Sequence, residues 1–283
     1  MVFLLPEAGP DPAAVLQLCP AADVTAFGDE AGAVRWLGSS LSSPLAEKVP
    51  RVLLHEVRGE LEVLALSALP GTSAYVELRR RGPSGSLATR HLDAAVDWLV
   101  PFQRETRSER RWRLPSWSEL APPGTDPATE PDWFRLLRDG LDRRPLPRVG
   151  RHGDSWPRNL LLGAEGGVSG VVDWEAFRTN ASPLDDLFDF ALAYGESVSG
   201  GGSPGSLDSF LGTFGEGSFP GPRVWTYVRQ TLAGLGVEPG LDRPLLGVYL
   251  LERARRVGVG PRSRLARDRP ASFWLECFRR WSP

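Results

Sequence analysis

Residues 151–190 read RHGDSWPRNLLLGAEGGVSGVVDWEAFRTNASPLDDLFDF and hold three side chains whose types and order could move a phosphoryl group. Asp154 lies in a His-Gly-Asp turn, Asn159 comes five positions later, and Asp173 follows two short apolar runs. Transfer of the γ-phosphoryl of ATP to a hydroxyl needs a carboxylate beside the acceptor O–H. It also needs oxygen ligands that hold Mg²⁺ against the phosphates, because the catalysis is mostly positioning and charge neutralisation. Asp154 suits the carboxylate's role. Mg²⁺ keeps several waters and takes few hard oxygen ligands from protein, so the Asn159 amide oxygen and the Asp173 carboxylate are a matching pair. Each of the three also has an ordinary reading, as a turn residue, a strand-edge cap and a hairpin end. Turn chemistry does not explain why all three occur in this order.

For one metal to touch both Asn159 and Asp173, the chain between them must double back. Residues 160–162 and 168–172 are predicted strands joined by the Gly-rich turn 163–167, a hairpin that brings positions 159 and 173 to the same end. Residues 185–194 read as a helix whose first turn carries Asp185 and Asp186, complementing its positive N-terminal end. Glu175 could approach the same metal or stay ion-paired in solvent; both readings remain open.

The segment resembles the aminoglycoside phosphotransferase and choline-kinase-like branch of the protein-kinase fold, whose signature is H-G-D-x-x-x-x-N followed by an apolar strand and [IVF]-D-[WFY]-E. His152, Gly153, Asp154 and Asn159 match the first part, Val172, Asp173, Trp174 and Glu175 the second. The family's P-x-x-D-L element matches Pro183, Asp186 and Leu187. The resemblance implies an α+β, bilobal protein-kinase-like fold, with a small β-rich nucleotide-binding lobe over residues 1–70 and a larger, mainly helical catalytic and substrate-binding lobe over 71–283. It implies that Asp154 is the catalytic base, that Asn159 and Asp173 bind Mg²⁺, that Asp186 braces the catalytic loop from a helix N-terminus, and that His152 supports the loop structurally. By the same resemblance Leu66, Ser67, Ala68 and Leu69, at the Leu-Pro-Gly turn, offer backbone groups to the adenine of ATP. The implied activity is an ATP-dependent phosphotransferase acting on a hydroxyl of a small molecule. Aminoglycosides, choline, amino-acid hydroxyls, sugars and natural-product intermediates all serve as acceptors in this superfamily, and the sequence does not choose among them. Acidic residues at Glu175, Asp185, Asp189 and Glu196 suit a cationic acceptor.

One part of the family pattern is missing. A complete member has a Gly-rich turn over the phosphates, a strand lysine that pairs with them, and a helix glutamate that orients the lysine. Here no G-x-G-x-x-G occurs, Lys48 is the sole lysine, and Arg35 is the only cation before it. The front lobe therefore reads as shortened or rebuilt. That departure supports a rival function, a kinase-like binding module that recognises a peptide or partner protein without turning over ATP.

The whole chain narrows the remaining classes. Its 283 residues permit one two-lobed domain or two ordinary ones, with ample material for a core. Hydrophobic and charged fractions of 41% and 24% are those of a soluble globular protein. A net charge of −2 gives no pull toward nucleic acid or an anionic membrane, which argues against an RNA-binding role for the arginines of residues 253–269. Cys19 and Cys277, with no C-x-x-C and three scattered histidines, support neither a disulfide framework nor a zinc site. The opening MVFLLPEAGPDPAAV is not a signal peptide, and no apolar run approaches the roughly 18–20 residues of a membrane span. A cytoplasmic location fits; the oligomeric state is not legible.

Taken in order, residues 2–5 and 21–27 are predicted strands, 31–41 a short helix, and 52–57 with 61–68 a hairpin across Arg58-Gly59-Glu60. A helix capped by Ser86 buries Leu87, Leu92, Ala95, Leu99 and Phe102. The Arg-rich segment 104–113 reads as its solvated end. After a Pro-rich connection over 115–131, helix resumes at 132–141. A Gly/Ser loop is expected over 197–205, and helices over 210–214, 224–235, 244–257 and 271–281.

Overall fold

The computed structural model describes residues 2–4, 12–20, 25–82, 84–143, 145–198, 206–215, 217, 220–237, 240–256 and 270–281. An N-terminal antiparallel sheet is followed by a mainly helical C-terminal part, the α+β arrangement implied above. Among the described residues no helix is long and apolar enough to cross a membrane.

The sheet runs β1-β2-β4-β3, from β1 (Val2–Leu4), β2 (Ala14–Pro20), β3 (Val52–Arg58) and β4 (Leu61–Ser67). The β3–β4 hairpin is the expected one, and Gly59 supplies its positive φ of 60°. Strand β2 was not expected. Its sequence AVLQLCP does not alternate cleanly between apolar and polar residues, and it is a strand because β1 and β4 pair with it along both edges. The strand expected over 21–27 is overturned from residue 25 onward, where the helix α1 (Thr25–Ser40) begins; residues 21–24 lie outside the described residues. Phe27, Ala31, Val34, Leu37 and Leu41 recur at intervals of three or four, and this stripe joins the core.

The short α2 (Ser43–Ala46) precedes β3, and beyond β4 come β5 (Thr72–Ser73), α3 (Ala74–Arg81) and α4 (Gly85–Glu105). The cap of α4 is Ser84, which accepts from Leu87 N at 3.3 Å, rather than Ser86. Its five expected apolar residues are all buried. The Arg-rich segment is corrected: the chain leaves the helix and forms β6 (Ser108–Arg111), an edge strand paired with β7 (Pro147–Arg151). Between these lie α5 (Trp117–Leu120) and α6 (Asp132–Arg143).

Strands β8 (Leu160–Leu162) and β9 (Val168–Val171) form the expected hairpin, and β10 (Arg178–Ala181) pairs back onto β7. The helices α7 (Asp185–Val198), α8 (Leu207–Phe214), α9 (Gly221–Gly234), α10 (Asp242–Arg256) and α11 (Ala271–Trp281) complete the described chain. The Gly/Ser loop expected over 197–205 falls mostly outside the described residues, though α7 continues through Val198. Tyr194 O–H donates to His91 Nδ1 at 2.9 Å and His91 Nε2 bonds Glu77 at 3.0 Å, which ties α7, α4 and α3 together. An aromatic block of Trp98, Phe102, Trp174 and Phe177, with centroids 4.7 to 6.1 Å apart, lies beneath the hairpin end.

Candidate active site

The loop after β7 is fixed from below by a single carboxylate. Asp186, 1% exposed in the first turn of α7, accepts from His152 N at 2.7 Å and from Gly153 N at 2.9 Å. Such charge-assisted bonds to backbone amides are among the stronger ones available. Beside it, buried Arg151 bonds Asp185 and Asp189, each at 3.1 Å. Arg253 also reaches Asp189, and Tyr249 donates to that carboxylate at 2.5 Å. Burial pushes the Asp186 carboxyl above the usual range, while Arg151 and the backbone donors pull it back. This network corrects one expectation, since Asp185 and Asp189 are engaged internally and do not present charge to a cationic acceptor. Arg253 is likewise buried against Asp189, and residues 257–269 lie outside the described residues.

Gly153 makes the turn possible. Its φ is +85°, and a Cβ there would lie 2.4 Å from the Ala176 carbonyl oxygen. His152 packs against Trp174 with centroids 4.5 Å apart and the rings tilted by 57°; its Nε2 donates to Val172 O at 2.9 Å and its Nδ1 accepts from Asp154 N at 3.2 Å. The histidine therefore joins the loop to the segment after β9 that carries Asp173.

Asn159 and Asp154 are directly bonded. The Asn159 Nδ2 donates to Asp154 O at 2.9 Å and to its Oδ2 at 3.1 Å, which turns the amide Oδ1 the other way. Val172 N donates to Asn159 O at 3.0 Å, so the hairpin closes beside Asn159 and delivers Asp173 next to it. Among the described residues Asp173 is the one non-glycine with positive φ, 70°, a conformation that aspartate tolerates better than most residues. Burial raises the Asp154 carboxyl first; His152 opposes this, and Asp173 and Asp189 add to it. Asp154 and Asp173 are thus close enough for their charges to couple.

The Oδ1 of Asp154 is buried with no hydrogen-bond partner. An orphaned carboxylate oxygen beside a second carboxylate is satisfied by a cation or by a donated proton, the two things that a metal–nucleotide and an acceptor hydroxyl bring. No group of three or more His, Cys, Asp or Glu able to hold a metal occurs among the described residues. The donor set instead fits Mg²⁺, which takes one or two protein oxygens and completes its shell with phosphate and water.

At the turn after β4 the proposed adenine-facing residues are partly engaged. Ser67 N donates to Arg51 O at 2.8 Å and Ala68 N to Ala13 O at 3.0 Å, while Leu66 is paired within the sheet. A base reading this edge must use Leu69 or the carbonyls.

Two residues near the site were not foreseen. Glu30 of α1 is 3% exposed and accepts from Gln17 Nε2 of β2 at 3.3 Å and from Trp174 N at 3.4 Å. Burial raises its pKa from 4.5 to about 7, and Asp173 adds to the shift. The signal was present, because a glutamate at position 30 falls on the apolar stripe of a helix that already contains Phe27, Val34 and Leu37.

The model of the phosphotransferase enzyme family (APH) matches residues 2–227. The chain belongs to that family. No curated protein sequence matches significantly. Among solved structures, an aminoglycoside phosphotransferase from Streptomyces rimosus in complex with ADP and streptomycin matches at 18% identity, TM-score 0.49, over 85% of each chain. A type VIII aminoglycoside-3'-phosphotransferase matches at 17% identity, TM-score 0.44, over 89% of this chain and 92% of that one. An ethanolamine kinase from Plasmodium vivax matches at 12% identity, TM-score 0.42, over 95% of this chain and 78% of that one.

Two predictions follow from this geometry. Asp186→Asn leaves one acceptor for two backbone donors and turns an amide N–H₂ toward one of them. The expected loss is about 1–3 kcal/mol in urea unfolding, and wild-type stability in this variant contradicts the bracing role. For Glu30, whose folded pKa is raised, the contribution of the protonated form is full below about pH 4.5 and is lost as pH rises through about 7. Glu30→Gln keeps a neutral side chain at every pH, so it should match the wild type near about pH 4 and exceed it by up to about 3 kcal/mol near about pH 8. A stability difference that does not change with pH contradicts a buried, neutral Glu30.

Proposed function

We propose that this phosphotransferase moves the γ-phosphoryl of ATP to a hydroxyl of a small molecule. The observation that carries the reading is the orphaned Oδ1 of Asp154, buried beside Asn159 and Asp173 on a loop braced by Asp186. Asp154 accepts the proton of the acceptor hydroxyl as its oxygen attacks the γ-phosphorus and the bond to the β,γ-bridging oxygen breaks. Asn159 keeps the Asp154 carboxylate oriented through Nδ2 and offers Oδ1 to the metal, and Asp173 supplies the second oxygen. Mg²⁺, when bound there, offsets the charge of the transferring phosphates. His152 and Asp186 hold the loop and touch no substrate.

The nucleotide lobe is assigned to residues 1–70 and the catalytic lobe to 71–283. Their junction is the Leu-Pro-Gly turn, where Ser169 Oγ donates to Pro70 O at 2.6 Å. One observation favours a second reading, a binding module without turnover: the residue that bonds Glu30 is a neutral glutamine. The complete set of Asp154, Asn159 and Asp173 favours turnover.

Mass spectrometry of candidate hydroxyl acceptors incubated with ATP and Mg²⁺ is the direct test of the activity. Asp154→Ala is expected to lower transfer by about 10² to 10⁴ while nucleotide binding stays nearly unchanged; a variant retaining more than half of wild-type turnover rules out its role as base. Asp173→Asn should weaken ATP binding more with Mg²⁺ than without it, because it removes charge beside the metal. Equal losses in both conditions contradict the metal assignment.

A further inference from the structure

We propose that Gln17, oriented by Glu30, is the residue of the N-terminal sheet that faces the nucleotide phosphates, so that this chain positions them with an amide rather than an ammonium. The inference rests on the phosphotransferase reading above and assigns a positioning residue to that site. Three observations carry it. First, Gln17 lies on β2 opposite Leu64, in the middle of the sheet, and its side chain reaches Glu30 at 3.3 Å. Second, Glu30 in turn accepts from Trp174 N, the residue after Asp173, so the pair bridges the sheet to the backbone that carries the metal-binding carboxylate. A helix glutamate that orients a strand residue toward the phosphates is the arrangement kinases use for their lysine. Third, no lysine or arginine precedes Arg35 in the sequence, so neither β1, β2 nor the segments joining them to α1 can supply a cation here.

The two early cations do not take its place. Arg35 is exposed, and its five-residue separation from Glu30 turns it about 140° away on the helix. Lys48 follows α2, where its carbonyl accepts from Val171 N at 2.8 Å, and it makes no ion pair with Glu30. An amide can donate to a phosphate oxygen but brings no charge to offset Asp173. Metal must then supply most of the positive charge that the phosphates meet.

The test is calorimetry of the full chain with ATP, in Mg²⁺ and in EDTA, comparing wild type with Gln17→Lys, Gln17→Ala and the double variant Gln17→Lys/Glu30→Ala. A charge-assisted phosphate contact is worth about ten- to a hundredfold in affinity. Gln17→Lys should therefore tighten ATP binding at least tenfold, with a gain that persists in EDTA because the ammonium meets phosphate directly. Removing Glu30 in that background should cancel most of the gain. Gln17→Ala should weaken ATP binding about two- to fivefold, the loss of one neutral amide contact, and it keeps the inference testable should the lysine variant fail to fold. Mg²⁺-dependent binding by the wild type with less than a twofold gain in Gln17→Lys overturns this inference alone. Unchanged ATP affinity in Gln17→Ala also overturns it, since Gln17 would then make no contact with the phosphates. If neither wild type nor Gln17→Lys binds ATP·Mg²⁺, this inference and the phosphotransferase reading both fall.

Discussion

The site depends on one carboxylate that holds two consecutive backbone amides. Asp186 takes the N–H groups of His152 and Gly153 at 2.7 and 2.9 Å and so sets the direction in which the next residue, Asp154, leaves the turn. A buried carboxylate in that position is costly unless it is charge-balanced, and Arg151 lies beside it while sharing Asp185 and Asp189. Arg253 and Tyr249 of α10 extend the network, so a helix distant in sequence contributes to the position of the loop. The loop also needs a glycine, because the Ala176 carbonyl occupies the space of any Cβ at residue 153.

What stands above that base is a polar set whose protein partners are deliberately one-sided in geometry. Asn159 directs its donors to Asp154 and its acceptor away; Asp154 keeps one oxygen bonded and one orphaned. The hairpin of β8 and β9 closes through Val172 N and Asn159 O, and Asp173 follows in a left-handed conformation that β-branched residues would resist. Burial, with Asp173 and Asp189 adding to it, raises the Asp154 carboxyl.

The C-terminal half of this arrangement was legible in the sequence because its signals are local. The spacing of Asp154, Asn159 and Asp173, the Gly-rich turn between two apolar runs, and the paired aspartates opening α7 are all read within 40 residues. The helical stripe of Leu87, Leu92, Ala95, Leu99 and Phe102 was equally local. The N-terminal half was less legible because its cause is pairing at a distance. Strand β2 has a polar residue in its centre and exists through β1 and β4, while the 21–27 segment looked extended until the stripe that includes Phe27 and Val34 is followed to Leu41. The pairing of Asp189 with Arg253 was also out of reach, since Arg253 lies more than 60 positions away and nothing local announces it.

The central claim is that Asn159 and Asp173 hold the metal of a metal–nucleotide complex beside Asp154. A crystal structure of the full chain with Mn²⁺ and a non-hydrolysable ATP analogue tests it most directly, because the anomalous signal of manganese locates the ion independently of the protein. The account predicts one strong peak within bonding distance of Asn159 Oδ1 and an Asp173 carboxylate oxygen, with the γ-phosphate facing Asp154. A nucleotide bound with its metal away from both residues, or with its γ-phosphate turned from Asp154, would contradict it.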